Sequence, residues 1–413
     1  MTLPRRSALG LIPAGLGVSP FRWFREDKPN PAQMVRDLTV ASRGRRVPAA
    51  GFVIMRDGML LASQQFGYAS GLSRSEKASG IKRRLFDINT PFRAASISKL
   101  ATAMIAAVLH DEGTLDLDAP IEPYLSDAAR RSGKGADMTM RYLLSHTSGL
   151  SDPDVYWLAH PGRIDEMIHG AFEARHTNSF EYCNLGYGIA ATVIELAAER
   201  RFDQLFVDIF NPLPMDAGFN WSGIGALKRS RGATLYRETA DGWEIQADGP
   251  EVLAADTPSI LIEDGADLST YMLGQNGTLF SPQGGLRVGL TDLALIAQLL
   301  PDTPELTNPV WTLNSDGTNG KHDDRYFMQF GTGIHIHPAS DSPWPGQTMW
   351  GHHGEAYGLY AGAWHLPDLG ISLSYAVTGT PEAAPQRSKA HPALNTFTEP
   401  LLAAARVAFE NKR

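Results

Sequence analysis

Ser96 and Lys99 stand three residues apart at the head of an apolar run, in the order Ser96-Ile97-Ser98-Lys99. On a helix that spacing puts a hydroxyl and an amine on one face. A neutral lysine can take the serine's proton, and the backbone N–H groups at a helix start can hold the oxyanion that follows attack on a carbonyl. The same pattern recurs at Ser79-Gly80-Ile81-Lys82, in a basic loop with no apolar helix behind it. Lys99 instead runs on into Leu100-Ala101-Thr102-Ala103-Met104, a setting that buries an amine and lowers its pKa. Alone, the pair suits a helix cap with a surface lysine better.

Two other segments carry chemistry-bearing side chains. Phe180-Glu181-Tyr182-Cys183-Asn184 precedes a helical pattern, and an extended backbone there would point Tyr182 and Asn184 the same way. The plainer reading is a core tyrosine with Asn184 as helix N-cap. Trp350-Gly351-His352-His353-Gly354-Glu355 reads as a loop ahead of a strand, with glycines that let the backbone approach a ligand closely. His335-Ile336-His337 would place two imidazoles on one strand face, but Pro338-Ala339 follows where a metal site would want an aspartate. These histidines are expected on a solvated or interfacial face, with no metal and no cofactor. Cys183, the sole cysteine, rules out an internal disulfide and is expected as a buried spectator thiol.

The positioning elements follow from pattern. Pro48 to Phe66 alternates around Asp57-Gly58, which predicts a β-hairpin. Apolar residues recur at helical spacing from Ser96 to Gly113, Leu185 to Arg201, Thr291 to Leu300 and Phe397 to Phe409. Gly358 to Leu366 and Ile371 to Val377 flank the turn Pro367-Asp368-Leu369-Gly370, a second hairpin. Strands at both ends with helices between predict an α+β protein. Its mostly antiparallel sheet is flanked by N- and C-terminal helices and carries an inserted helical lobe. Residues 25–115 and 296–413 are assigned to the sheet-containing lobe, and 116–295 to the helical lobe with a loop excursion near 241–267. Residues 1–24, with Arg5-Arg6 before a short Gly-rich apolar run, resemble a twin-arginine export signal or form a disordered N-terminus. A periplasmic or secreted location follows from the first reading and a cytoplasmic one from the second. The apolar run is too short for a bilayer, so no stable membrane insertion is expected. A formal net charge of -8 argues against nucleic acid as a partner.

In this order the segments resemble the serine hydrolases related to class C β-lactamases, penicillin-binding DD-peptidases and β-lactamase-like esterases. Pro91-Phe92-Arg93-Ala94-Ala95-Ser96-Ile97-Ser98-Lys99 is similar to that family's nucleophile segment. Leu143-Leu144-Ser145-His146-Thr147-Ser148-Gly149-Leu150 is similar to its most specific signature, and Pro212-Leu213-Pro214-Met215 to a family turn. Gly284-Gly285-Leu286 leading into Thr291-Asp292-Leu293-Ala294 resembles the segment that returns to the catalytic lobe. The likeness runs from about Pro48 to about Val377. It implies a β-lactamase/transpeptidase-like fold, with Ser96 as acyl-accepting nucleophile and Lys99 and Tyr182 sharing the proton transfers. The acylation base is open between those two. Asn184 is implied as a hydrogen-bond partner of substrate amide or Lys99. The N–H groups of Ser96 and Glu355 are implied as the oxyanion hole, and His352, His353, Gly354 and Glu355 as substrate-binding residues.

One departure bears on substrate. Where β-lactamases of this group carry Lys-Thr-Gly, this chain has His352-His353-Gly354, so two imidazoles replace a permanent cation and a hydroxyl. Recognition of a substrate carboxylate is therefore expected to be weaker. The expected substrates are small esters or D-amino-acid amides and peptides, cleaved through an acyl-enzyme. A peptidoglycan DD-carboxypeptidase, a β-lactamase and a non-catalytic penicillin-binding-like protein are the alternatives.

Overall fold

Asp57 and Gly58 both take left-handed backbone angles, φ +50° and +73°, the pair that a tight hairpin turn requires. They join β1 (Ala49–Arg56) to β2 (Met59–Ser70). In chain order follow β3 (Arg84–Leu85), β4 (Phe92–Arg93), β5 (Leu235–Thr239), β6 (Gly242–Ala247) and β7 (Arg287–Val288). Then come β8 (Trp311–Thr312), β9 (Gln329–Phe330), β10 (His335–His337), β11 (Met349–Ala356), β12 (Leu359–Leu366) and β13 (Ile371–Val377). The computed structural model describes residues 29–40, 47–172, 179–210, 212–248, 268–381 and 385–412.

Among the described residues nine strands form one sheet in the order β3-β2-β1-β13-β12-β11-β10-β9-β8. All its pairings are antiparallel. Strand β1 lies beside β13, with Phe52 opposite Tyr375, so the two ends of the chain meet in mid-sheet. Both faces are covered. Phe52 and Ile54 pack with Leu373, Tyr375 and Trp364 under the helices Pro31–Val40 and Thr398–Glu410, through Val35, Leu401, Ala405 and Phe409. Val53 and Met55, one residue out of phase, face the opposite core with Leu293, Ala294 and Ile296 of the helix Leu290–Gln298. This two-sided burial explains why β1, β12 and β13 read as nearly continuous apolar runs.

The helix Ser98–Asp111 is central to that second core, with every residue from Ser98 to Ala107 buried. It is buried on all sides and not along one stripe, so its position is fixed by packing from several elements at once. Among the described residues no helix is long and apolar enough to cross a membrane.

Two expectations change, and two lie beyond the described residues. Residues 242–247 are strand β6, paired with β5, and not part of a loop excursion; a glycine turn at Gly242 (φ +114°) starts it. The remainder of that excursion, 249–267, and the N-terminal segment 1–24 lie outside the described residues. His335 and His337 are not solvated: each is 1% exposed, beneath the rings of Tyr326, Phe327 and Trp364.

Candidate active site

The turn that carries Ser96 is built by hydrogen bonds from two sides. Strand β4 pairs with β7, and the Ala94 N–H donates to the Leu286 carbonyl at 2.8 Å. Ala95 then takes φ +49°, a left-handed angle that a residue with a Cβ seldom adopts. The Ser98 hydroxyl holds the turn by donating to the Ala95 carbonyl (2.7 Å) and accepting from the Leu286 N–H (3.0 Å). The result lifts Ser96 alone into partial exposure between buried neighbours, two residues before the helix Ser98–Asp111 begins.

Lys99 is fully buried one turn below. Its Nζ lies 2.8 Å from Asn184 Oδ1, 3.1 Å from the Gln283 carbonyl oxygen and 3.2 Å from Ser96 Oγ. The first two partners can only accept. A neutral amine has two N–H bonds and one lone pair, so satisfying both acceptors leaves the lone pair for the Ser96 hydroxyl. Burial lowers the Lys99 pKa to about 7, against the attraction of the Asp152 carboxylate and the Cys183 sulfur. The site can therefore present a neutral base to Ser96 near pH 7.

Tyr182 reaches Ser96 from the other side, its hydroxyl hydrogen-bonded to the serine side chain. Its ring stacks on Phe327 and lies 4.7 Å from Lys99 Nζ. Although part of the ring meets solvent, burial pushes the phenol well above its ordinary pKa. It stays protonated, able to donate. Behind it stands His146 of the Leu143–Leu150 signature, with ring centroids 4.2 Å apart. The Cys183 N–H donates to His146 Nδ1 at 3.0 Å, which assigns the imidazole proton to Nε2. Cys183 itself is buried.

Asp152 is a site residue that the sequence reading missed. One oxygen accepts from the Asn184 side-chain N–H₂ (2.7 Å), and the other from the Leu185 N–H (2.8 Å) and the Cys183 thiol (3.3 Å). A carboxylate that only accepts and an amine that must donate fix the Asn184 amide with its oxygen toward Lys99. Asp152 also caps the first turn of the helix Leu185–Ala198, where a negative charge is favourable. In Asp152→Ala, Asn184 should lose its orientation and kcat should fall by about a hundredfold, as for a reacting group displaced by about 1 Å. With that negative charge gone, Lys99 should titrate at lower pH, so a pH–rate profile of the variant should inflect below the wild-type value. An unchanged inflection would show that Asp152 does not act on Lys99.

The Trp350–Glu355 segment is not a loop ahead of a strand; it is most of β11 itself. Strand alternation sends its residues two ways. His352 and Gly354 face the nucleophile turn. A Cβ on Gly354 would lie 2.6 Å from the Ala94 carbonyl oxygen and 3.1 Å from Ile97, so only glycine lets β11 close on that turn. His352 donates from Nδ1 to the His353 carbonyl at 2.5 Å, which leaves a lone pair on Nε2. Burial and the nearby Lys99 hold its pKa at about 3, so it is neutral at pH 7. His353 points to the other face, against Tyr326, His335 and Trp364, and the structure does not bring it to Ser96. The exposed Glu355 side chain bonds Tyr360, while its charge reaches Tyr182. Gly354→Ala should force β11 away from Ala94 and lower kcat/KM by about a hundredfold, with the larger part in kcat. Steady-state kinetics of a folded variant would check this, and wild-type values would mean that the contact between strand and turn is not needed. The chance match Ser79–Lys82 ends a short exposed helix, outside the site.

The β-lactamase family model matches residues 32–396. Among curated proteins, the esterase EstB of Burkholderia gladioli is 33% identical over 120 residues, 29% of this chain and 27% of that protein. Penicillin-binding protein 4* of Bacillus subtilis (strain 168) is 29% identical over 173 residues, 38% of this chain and 35% of its own length. The alignments thus span about a third or less of these relatives. Solved structures match over nearly the whole fold. The D-amino acid amidase of Ochrobactrum anthropi SV3 superposes with a TM-score of 0.62 at 19% identity, covering 91% of this chain and 98% of that one. A class C β-lactamase from Rhodobacter sphaeroides gives 0.59 at 14% identity, covering 88% and 95%. With a strained serine turn on a buried helix, a buried lysine beneath it and a sheet closed by both chain ends, this chain has the β-lactamase/transpeptidase-like fold and belongs to the β-lactamase family.

Proposed function

We propose that this chain is a serine hydrolase that cleaves small esters or D-amino-acid amides and peptides through an acyl-enzyme on Ser96. The observation that carries this reading is the set of partners of Lys99: two obligate acceptors at 2.8 and 3.1 Å, and Ser96 Oγ as the third at 3.2 Å. Neutral Lys99 takes the Ser96 proton as Oγ attacks the carbonyl carbon. The protonated phenol of Tyr182, hydrogen-bonded to Ser96, delivers a proton to the departing alcohol or amine, and the Lys99 ammonium then returns the serine's proton to the phenolate, so that both groups regain their starting states. A water molecule, activated by the same pair, then cleaves the acyl–Oγ bond and releases the acid.

The substrate class follows from charge. His352 is neutral, and the Asp152 and Glu355 carboxylates both act electrostatically on Tyr182. The third segment supplies no cation for a substrate carboxylate, and the neighbouring charges disfavour one. Esters and amides, especially those with a free ammonium group, fit better than penicillins. The names of the relatives, an esterase and a D-amino acid amidase, support the same two classes.

The test is a panel of a nitrophenyl butyrate ester, D-phenylalanine amide, L-phenylalanine amide and a chromogenic cephalosporin, each run beside Ser96→Ala. Turnover of the ester and of the D-amide above the L-amide, with the cephalosporin slowest, is the expected order. A cephalosporin kcat/KM above all the others would overturn the substrate assignment. Failure of a fluorophosphonate to label Ser96 would overturn the mechanism.

A further inference from the structure

We propose that His335, His337 and His353 form a structural binding site for a zinc ion that ties β10 to β11 on the face opposite Ser96. The placement comes from the ladder. His335 lies opposite Gly351 and His337 opposite Met349, so the two-residue period puts both imidazoles on the face that His353 shares, one diagonal step along β11. The ring centroids are 5.1 Å apart for His335 and His353, 5.7 Å for His337 and His353, and 6.2 Å for the two on β10. One nitrogen from each ring lies within 4.8 Å of the others.

The second observation is the state of those nitrogens. The residues are 1%, 1% and 7% exposed. His335 Nδ1, both nitrogens of His337 and His353 Nε2 are buried with no hydrogen-bond partner among the described residues. Buried polar atoms are nearly always satisfied, and orphaned nitrogens on three neighbouring rings call for a common partner. A cation held by one nitrogen from each ring fills that need, the nitrogens lying within 4.8 Å of one another. Burial and mutual repulsion keep all three imidazoles unprotonated, the form that ligates.

Tetrahedral zinc with Zn–N of about 2.0–2.1 Å needs ligand nitrogens about 3.4 Å apart. A shift of about 1 Å at each ring nitrogen would bring them to that spacing. An all-imidazole set favours Zn(II) over Mg(II) or Ca(II), which take oxygen ligands. The surroundings suit a buried ion. Trp364 and Tyr326 wall the site, and His391, next to His337, sits 3.2 Å from the Asp341 carboxylate, which brings negative charge to its edge. Asp341 also pairs with Arg325, and Arg387 stacks outside Tyr326. Since β11 also carries His352 and Gly354, the ion would hold rigid the strand that closes on the serine turn.

The test uses the full chain without a polyhistidine tag, stripped with chelator and then titrated with ZnCl₂ by calorimetry, with bound zinc counted by mass spectrometry after gel filtration. One equivalent per chain with a Kd below about 1 μM is expected, and a higher melting temperature for the loaded protein. His337→Gln should weaken binding by at least about a hundredfold. Wild-type protein that retains no zinc, or a folded His337→Gln that still binds one equivalent equally well, would overturn the proposal. If that variant does not fold, X-ray absorption of the zinc-loaded wild type decides: three imidazole nitrogens at about 2.0 Å support the site, and a shell of fewer overturns it.

Discussion

Ser96→Ala should lower kcat/KM for the ester by at least about ten-thousandfold while leaving the protein folded, because it removes the oxygen, 3.2 Å from Lys99 Nζ, that is to carry the acyl group. The substitution removes one partly exposed oxygen. It leaves Lys99 its two acceptors, Asn184 and the Gln283 carbonyl, so the buried amine keeps its partners. It also leaves intact the Ala95 turn, which is held by Ser98 and Leu286. Circular dichroism and the melting temperature should therefore match wild type, which separates loss of the nucleophile from loss of the fold. Intact-mass spectrometry gives a second reading. Wild type quenched during turnover of a slow amide should gain the mass of the acyl group, and Ser96→Ala should not. Turnover by the variant within tenfold of wild type would refute the acyl-enzyme at Ser96.

Much of the site is legible in sequence because it is local. Ser96 and Lys99 lie three residues apart at the head of one helix, Tyr182 and Asn184 lie two apart and reach Ser96 and Lys99, and the hairpin at Asp57-Gly58 declares itself through two residues suited to left-handed angles. What escapes the sequence depends on contacts between distant segments. Asp152 lies in a polar loop with no spacing to mark it, and its function arises only where the chain returns at Cys183 to Leu185. The signal available was its place two residues beyond Leu150, at the end of the family signature. His335, His337 and the Trp350–Glu355 segment are misread for the opposite reason. Histidines and glycines normally mark solvated loops, but here Tyr326, Phe327 and Trp364 cover them and turn polar residues into the interior of a sheet. Propensity yields to tertiary burial at that point.

The pH dependence is the sharpest test of how Ser96 is activated. Lys99 titrates near 7, down from 10.5, because burial penalises its charged form more than Asp152 supports it. At pH 7 about half of the molecules then carry a neutral Lys99, whereas an amine titrating at 10.5 would be neutral in about one molecule in three thousand. Only the neutral form can accept the serine proton. So kcat/KM should rise about tenfold per pH step below 7, bend near 7 and level off above it. Lys99→Arg should lose at least about a thousandfold and show no recovery up to pH 10, since a guanidinium does not give up its proton in that range. Stability follows the same sign. Lys99 binds its proton more weakly in the native than in the unfolded chain, so its burial costs most below pH 7. That cost fades as pH rises from 7 toward 10.5. Acid therefore weakens activity and fold together, and the two are separated by time: rates lost to protonation return at once when the sample is brought back to pH 8. A profile that is flat from pH 5 to 9, or one that falls as pH rises, would remove Lys99 as the base. The remaining candidate, Tyr182, would then have to ionise despite a burial that pushes its pKa upward.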